Sequence, residues 1–461
     1  MDAWPSLLAE YEDATGAART PLPRVAPAPP GLLAATLPVL GLALGSVAAL
    51  ETATARARAA AAPARGRTTD VAPRAVLDPE RVAAAFAGDR LLRVGGEPVD
   101  GFAPMSGFFR TRDGWVRTHA NYPHHRTRLL DALGLPDGAT SDQLVAHLGR
   151  WSAQDVEDAA AARGAVAVRV RTEDEWRRSA PGRAAASGPL VRWRVRTGGR
   201  AGGGPVPLLG GTAPLTGVRV LDLTRVIAGP VATRALARLG ADVLRVDPPH
   251  LLEIELQHRD TGQGKRSTLL DLRTPADHGR AQELLDRADV LVTGYRPGSV
   301  ESLGLRPPAA CVLARVSAWG DGPWGGRRGF DSIVQAASGV ALVESPDGER
   351  PGALPAQALD HASGYLLAAA VTDALTARAL DGRGRDVAVT LARTGAWLLD
   401  AAGRDPAHAA PVAPGPRTVV EHRVPLDGRE QVLTTARPAV VEHDDYGTVA
   451  GPWGADEARW R

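Results

Sequence analysis

Between Val218 and Leu303 the chain alternates short apolar runs with amphipathic ones, and this alternation restricts the fold more than any other feature. VRVLDL (218–223), the run from Asp242 to Val246, the run from Ser267 to Leu272 and the run from Asp289 to Val292 read as strands. Helical patterns fill the intervals at 230–239, where Pro230 stands in the first turn, at 275–288 and near 298–303. Strands and helices in alternation predict an α/β fold: a Rossmann-like, largely parallel sheet with covering helices and ligands beyond the carboxyl ends of its strands. A stretch dominated by glycine and proline, RTGGRAGGGPVPLLGGTAP (196–214), separates this region from what precedes it. Upstream, PMSGFFRTRDGWVRTHA (104–120) reads as a hairpin turning at Arg112-Asp113-Gly114. Helical patterns at 124–133, 141–149 and 153–162 and the alternating AVAVRVRT (165–172) complete a smaller α+β unit. The expected division is a tail and proline-rich linker (1–30), the α+β unit (31–195), the linker (196–214), the Rossmann-like domain (215–400) and a C-terminal segment with one hairpin (401–461).

Charge excludes several classes of function. Lys and Arg total 54 against 52 Asp and Glu, spread along the chain, so a nucleic-acid partner is not expected. A single cysteine, Cys311, allows no intramolecular disulfide and fits the cytoplasm. Met1 to Glu12 is acidic and lacks the basic-then-apolar order of a secretory signal. Residues 31–50 carry no charge over twenty positions, but their Ala/Gly content, Pro38 and lack of an aromatic belt predict a buried helix and not a membrane span. His119, His124 and His125 lack the i, i+4 spacing of a zinc helix, so no metal is expected.

The first strand-to-helix turn, TRVIAGP (224–230), has no G-x-G-x-x-G fingerprint, and no Walker sequence occurs, which disfavours a dinucleotide or nucleoside triphosphate held in the usual way. Cations nevertheless flank the strands: Gly264-Lys265-Arg266-Ser267 before one and Tyr295-Arg296-Pro297-Gly298 after another. Lys265 is the only lysine of the chain. Together these point to a polyanionic ligand, although a cation at a strand edge is more often simply solvated.

Six segments taken in order resemble family III CoA-transferases, the group of formyl-CoA transferase, carnitine CoA-transferase and α-methylacyl-CoA racemase. They are GVRVLDLTRVIAGPVATRALARLGADVLRVDPP (217–249), GKRSTLLDLRTP (264–275), ADVLVTGYRPGSVESLGL (288–305), GFDSIVQAASG (329–339), LDHASGYLLAAAVTDALTARAL (359–380) and GRGRDVAVTLA (382–392). The resemblance implies a CoA-binding Rossmann-like domain, a smaller domain, interlocked homodimers, and CoA or acyl-CoA as a substrate with no tightly bound cofactor. It places the catalytic aspartate on Asp360, whose carboxylate would attack an acyl-CoA thioester and exchange CoA with a carboxylic acid through anhydride and thioester intermediates. It makes Lys265, Arg266 and Arg296 candidates for the CoA phosphates, and puts Arg245 and the loop residues Val226, Ala228 and Gly229 near the adenosine and pantetheine. Read from its spacing alone, Asp360 is also an ordinary cap of the apolar helix that follows; the helix dipole would then keep it ionised.

Two departures accompany the resemblance. The racemase branch has a histidine where this chain has Phe330, so proton transfer at the α-carbon is disfavoured against CoA transfer, and His361 is expected in a surface or capping role. The segments resembling the small domain precede the nucleotide-type segments, an order that implies permuted or fused half-units. The Leu/Ala-rich helix expected at 31–60 looks like a counterpart, without its aspartate, of the one after Asp360. An acyl-CoA epimerase or isomerase of the same fold, and a non-catalytic acyl-CoA-binding subunit, are the alternatives.

Overall fold

A computed structural model describes residues 3–61, 75–99, 101–197, 213–295, 298, 301–426 and 428–461. Seven strands form the main sheet: β1 (Arg192–Val195), β2 (Arg219–Leu223), β3 (Asp242–Asp247), β4 (Arg266–Leu269), β5 (Val290–Thr293), β6 (Val312–Ser317) and β7 (Arg385–Thr390). They lie in the order β4-β3-β2-β5-β6-β7-β1. All pairs are parallel except β7 with β1. Leu221 on β2 sits in register with Leu244 and Leu291, and these strands read as unbroken apolar runs because helices or loops bury both of their faces. The chain winds outward in opposite directions from β2 and β5, so a crevice opens beyond their carboxyl ends.

Three helices border that crevice, α2 (Ala228–Arg238), α3 (Asp331–Ser338) and α4 (Ala358–Asp381), and α1 (Val39–Ala61) packs against α4. The two long ones, α1 and α4, pack side by side under the sheet; their Ala-rich faces allow the close approach. At the far ends Asp373 ties them together, receiving hydrogen bonds from Arg56 of α1 (2.7 and 2.8 Å) and from the Tyr11 hydroxyl (2.7 Å). Among the described residues α1 is the one helix long and apolar enough to cross a membrane, and it is instead mostly buried in the protein core.

The structure departs from the sequence-based division in several places. Residues 1–30 were expected to be a tail, but Trp4–Thr15 is a helix whose Leu7, Leu8 and Tyr11 are buried against α1. The helix expected from residue 31 begins at Val39, one residue after Pro38. The helix expected near 298–303 is a single 3-10 turn, Glu301–Leu303. The boundary at 195 does not separate folding units: β1, from the upstream half, is an edge strand of the downstream sheet. Likewise the hairpin Val419–Leu426 and Arg429–Ala436 joins upstream strands Arg93–Val94 and Glu97–Pro98 in a four-stranded sheet. The C-terminal residues cover the exposed edge of β4, where Ser267 exchanges hydrogen bonds with Asp456, and Trp460 is buried. The hairpin expected at 104–120 forms as Phe108–Arg110 and Trp115–Thr118, and a third strand, Ala167–Arg169, completes its sheet over a separate small core. Most of the linker, 198–212, lies outside the described residues.

Candidate active site

β2 ends at Leu223, and the next turn is built around a buried carboxylate. Asp222 accepts from the backbone N–H (2.9 Å) and hydroxyl (2.5 Å) of Thr224 and, on its other oxygen, from Thr233 (2.5 Å) and the Lys265 ammonium (3.2 Å). Lys265 gives its remaining hydrogen bonds to Thr233 (2.9 Å) and the Pro230 carbonyl (3.2 Å). Burial pulls its pKa down to about 8, with Asp222 opposing. This packing brings the loop back on itself so tightly that a Cβ on Gly229 would lie 2.3 Å from that of Thr224. Val226 adopts a left-handed φ of 72°, which strains a β-branched residue.

The loop forms one wall of a cleft of about 370 Å³ at the crevice between β2 and β5. Val226, Ala228 and Gly229 line it, as do Gly294 and Tyr295 after β5, and Asp360 stands at its inner end. The opposite wall comes from the upstream half, through Tyr122, His124, His125 and Arg128, so both walls belong to one chain. α2 starts at this wall without a side-chain cap, leaving the backbone N–H groups of Ala228 and Gly229 without a capping side chain.

Asp360 is the third residue of α4 and not its cap; the cap position is Gln357, whose side chain makes no capping bond. The capping carboxylate is Asp331 of α3, which accepts the Asp360 backbone N–H at 2.9 Å and a hydrogen bond from Gln335 at 2.5 Å. Asp331 is fully buried, and desolvation raises its pKa to about 6. Asp360 is 6% exposed, and no described residue hydrogen-bonds its carboxylate. Burial, then the charge of Asp331, push its pKa well above the ordinary range. The expectation that the helix dipole keeps it ionised is therefore corrected: desolvation beside a second carboxylate outweighs a partial helix charge. α4 reaches the loop because Gly364 has no side chain: a Cβ there would meet the Ala228 carbonyl oxygen at 2.6 Å.

Three of the other residues singled out in the sequence, Arg245, Lys265 and Arg266, border a separate small pocket with His258. Lys265 faces the core beneath the loop, not the cleft. Arg266 reaches the opposite end of the sheet, where it binds Asp242 (2.8 Å) and the Arg459 carbonyl. Arg245 is consumed by Asp247 (2.7 Å) and Glu253 (2.5 Å) and is 1% exposed. None of the three lines the cleft. Arg296 lies outside the described residues. His361, expected in a surface or capping role, is 2% exposed, its ring tilted against Phe86 with centres 5.3 Å apart.

The cleft holds four other arginines: Arg128, Arg225, Arg327 and Arg328. Arg225 spends part of its charge on Glu253 (3.4 Å), and Arg327 on Glu157 (3.1 Å). No hydrogen bond or ion pair to a described residue engages Arg128. Arg327-Arg328 directly precede the GFD segment and were legible there, whereas nothing in sequence joins Arg128 to residues a hundred positions away. Phe330 stacks flat on His119, centres 3.7 Å apart, within a cluster that includes Tyr122 and His125. Among the described residues no group of three or more His, Cys, Asp or Glu is placed to hold a metal ion.

Residues 215–422 match the model of CoA-transferase family III. A probable fatty acyl-CoA transferase of Mycobacterium tuberculosis is 37% identical over 190 residues, 37% of this chain and 48% of that protein. An acyl-CoA transferase of Gibberella moniliformis is 29% identical over 294 residues, 58% and 51% respectively, and a formyl-CoA:oxalate CoA-transferase of Streptomyces coelicolor is 31% identical over 194 residues, 38% and 47%. A crystal structure of the mycobacterial protein aligns with 37% identity and a TM-score of 0.38 over 41% of this chain and 56% of that one. The chain spans about half the length of these curated relatives.

Proposed function

We propose that the chain, whose residues 215–422 match the model of CoA-transferase family III, moves coenzyme A between an acyl-CoA and a carboxylic acid, with Asp360 as the nucleophile. The observation that carries this reading is the Asp360 carboxylate: buried, without a hydrogen-bond partner among the described residues, and at the inner end of a cleft rimmed by four arginines. A structural carboxylate so buried is ordinarily matched by donors. In its ionised form Asp360 attacks the thioester carbonyl; the C–S bond breaks, CoA leaves as thiolate, and a mixed anhydride remains. The thiolate then attacks the aspartyl carbonyl, releasing the first acid as carboxylate and leaving an aspartyl-CoA thioester. An acceptor carboxylate displaces the thiolate from it, and the thiolate attacks the acceptor side of the new anhydride, giving the new acyl-CoA and free Asp360. The N–H groups at the start of α2 and the cleft arginines, Arg128 first, receive the phosphates. Both walls coming from one chain support a site that needs no second subunit, in place of the interlocked homodimer. A cytoplasmic location fits the single buried Cys311.

Proton transfer at an α-carbon is disfavoured. His119 does lie against Phe330, but burial, then Arg117, hold its pKa down to about 3, too low for a useful base. The test is incubation with a panel of acyl-CoAs followed by hydroxylamine and peptide mass spectrometry. A hydroxamate on Asp360 is expected, and its absence with every donor would remove the mechanism.

A further inference from the structure

A second cavity, about 320 Å³, meets the first at Asp360, and the two share Tyr122, Val226, Ile227 and Phe330 as common walls. We propose that this second cavity receives the acyl group and selects one that is uncharged and largely apolar. The proposal rests on the transfer reading above and names its substrate class. A thioester carbon held at Asp360 has its sulfur toward the arginine-lined cleft, and the chain on the other side of the carbonyl enters the second cavity.

The contrast in charge between the two cavities decides the class. Among the described residues four arginines line the first, and no Arg or Lys lines the second. Besides Asp360, its ionisable groups are Asp89, Asp260, His119 and His361. Asp260 is matched by Arg234 at 3.0 Å, and burial raises the pKa of Asp89. Desolvation holds both histidines near 3, so they are neutral. Behind this lining Arg234 is paired with Asp260, Arg117 stacks on the Phe102 and Phe108 rings without an ion pair among the described residues, and Arg90 acts on Asp89. A carboxylate at the end of an acyl chain would enter a space whose described lining has carboxylates and no cation, losing its hydration without a paired charge there.

The remaining wall suits a neutral chain. Leu92, Val99, Ile254 and Leu256 supply apolar surface, and at a liquid-like volume of ~30 Å³ per non-hydrogen atom the space admits about ten such atoms. Three buried polar atoms, Ser332 Oγ, His119 Nδ1 and His361 Nδ1, have no hydrogen-bond partner among the described residues. All belong to uncharged groups, which match a carbonyl or hydroxyl oxygen and not an ionised one.

The test titrates the full chain with unreactive thioethers: CoA itself, S-hexyl-CoA, S-octyl-CoA and S-(5-carboxypentyl)-CoA. The alkyl thioethers are expected to bind at least tenfold more tightly than CoA, and the carboxyalkyl compound no more tightly than CoA. Equal affinity for the carboxyalkyl and hexyl compounds, or no gain from any alkyl chain, would overturn the proposal. Leu256→Arg should raise affinity for the carboxyalkyl compound at least tenfold while leaving that for CoA unchanged; a folded variant without that gain would also count against it. Thioethers cannot acylate Asp360, so an alkyl preference without hydroxamate formation refutes the transfer reading alone, and hydroxamate formation without the preference refutes the selectivity alone.

Discussion

α1 and α4 are near-equal in length, both Leu/Ala-rich, and packed together, yet their N-terminal ends differ in one carboxylate. At the approach to α1, Glu344 from the downstream half accepts the backbone N–H groups of Thr36 (2.9 Å) and Leu37 (2.8 Å), and the first turn of α1 carries no acidic residue. At the start of α4, Asp331 performs the equivalent capping, and Asp360 is then added beside it with no donor of its own among the described residues. A matched carboxylate holds a helix in place; an unmatched one next to it is left with its reactivity. The cations divide in the same way, with Lys265 matched beneath the loop and Arg128 unmatched on the cleft wall.

Substitutions can break this contrast, and the largest effect is expected at the unmatched carboxylate. Asp360→Asn should lower CoA transfer at least ~10³-fold and abolish the hydroxamate, with CoA still bound. The same variant should also change how stability depends on pH. Asp331 and Asp360 have folded pKa values above their unfolded ones, so above about pH 4 the native state holds more protons, and their stabilising contribution declines as pH rises through about 6 and beyond. Asp360→Asn should therefore match the wild type in thermal melts near pH 4 and exceed it at pH 8, by on the order of 1–3 kcal/mol. Equal melting at both values would show that the pair is not strained by charge.

Next in size is Lys265→Met. It leaves Asp222 buried without its counter-charge and should cost about 3–5 kcal/mol in urea denaturation. The CoA affinity of the folded fraction should hold within about twofold; a selective loss of CoA binding at full stability would instead return Lys265 to the ligand. Glu344→Ala should cost about 0.5–2 kcal/mol and leave transfer unchanged, since it removes a cap remote from the cleft. Arg128→Ala should weaken CoA binding about tenfold, less at high salt, with an unaltered melting temperature. Smallest is Val226→Gly: relief of the left-handed strain, offset by backbone entropy, should raise stability by about 0.5–1 kcal/mol while loosening the wall shared by both cavities.

Much of the sheet was legible before any coordinates. Alternating runs placed β2, β3, β5 and the intervening helices within a few residues, because an apolar run bounded by turn signals has few ways to be buried. The motif LDHASG located Asp360, and VIAG located the loop facing it. How the cations pair was not legible in the sequence. Lys265, Arg245 and Arg266 lie at strand positions that look ligand-facing in one dimension, and in three dimensions each is consumed by a nearby acid: Asp222, Asp247 with Glu253, and Asp242.

By itself the sequence determined the local elements, since each follows from residues within a single turn or run. Only the tertiary structure decided which charges remain unmatched. It brought Arg128, from a hundred positions upstream, to the cleft that Val226 and Asp360 share, and it set Asp331 where it caps α4 while raising the pKa of its neighbour. Pairing and desolvation depend on distance through space, which the order of residues along the chain does not specify.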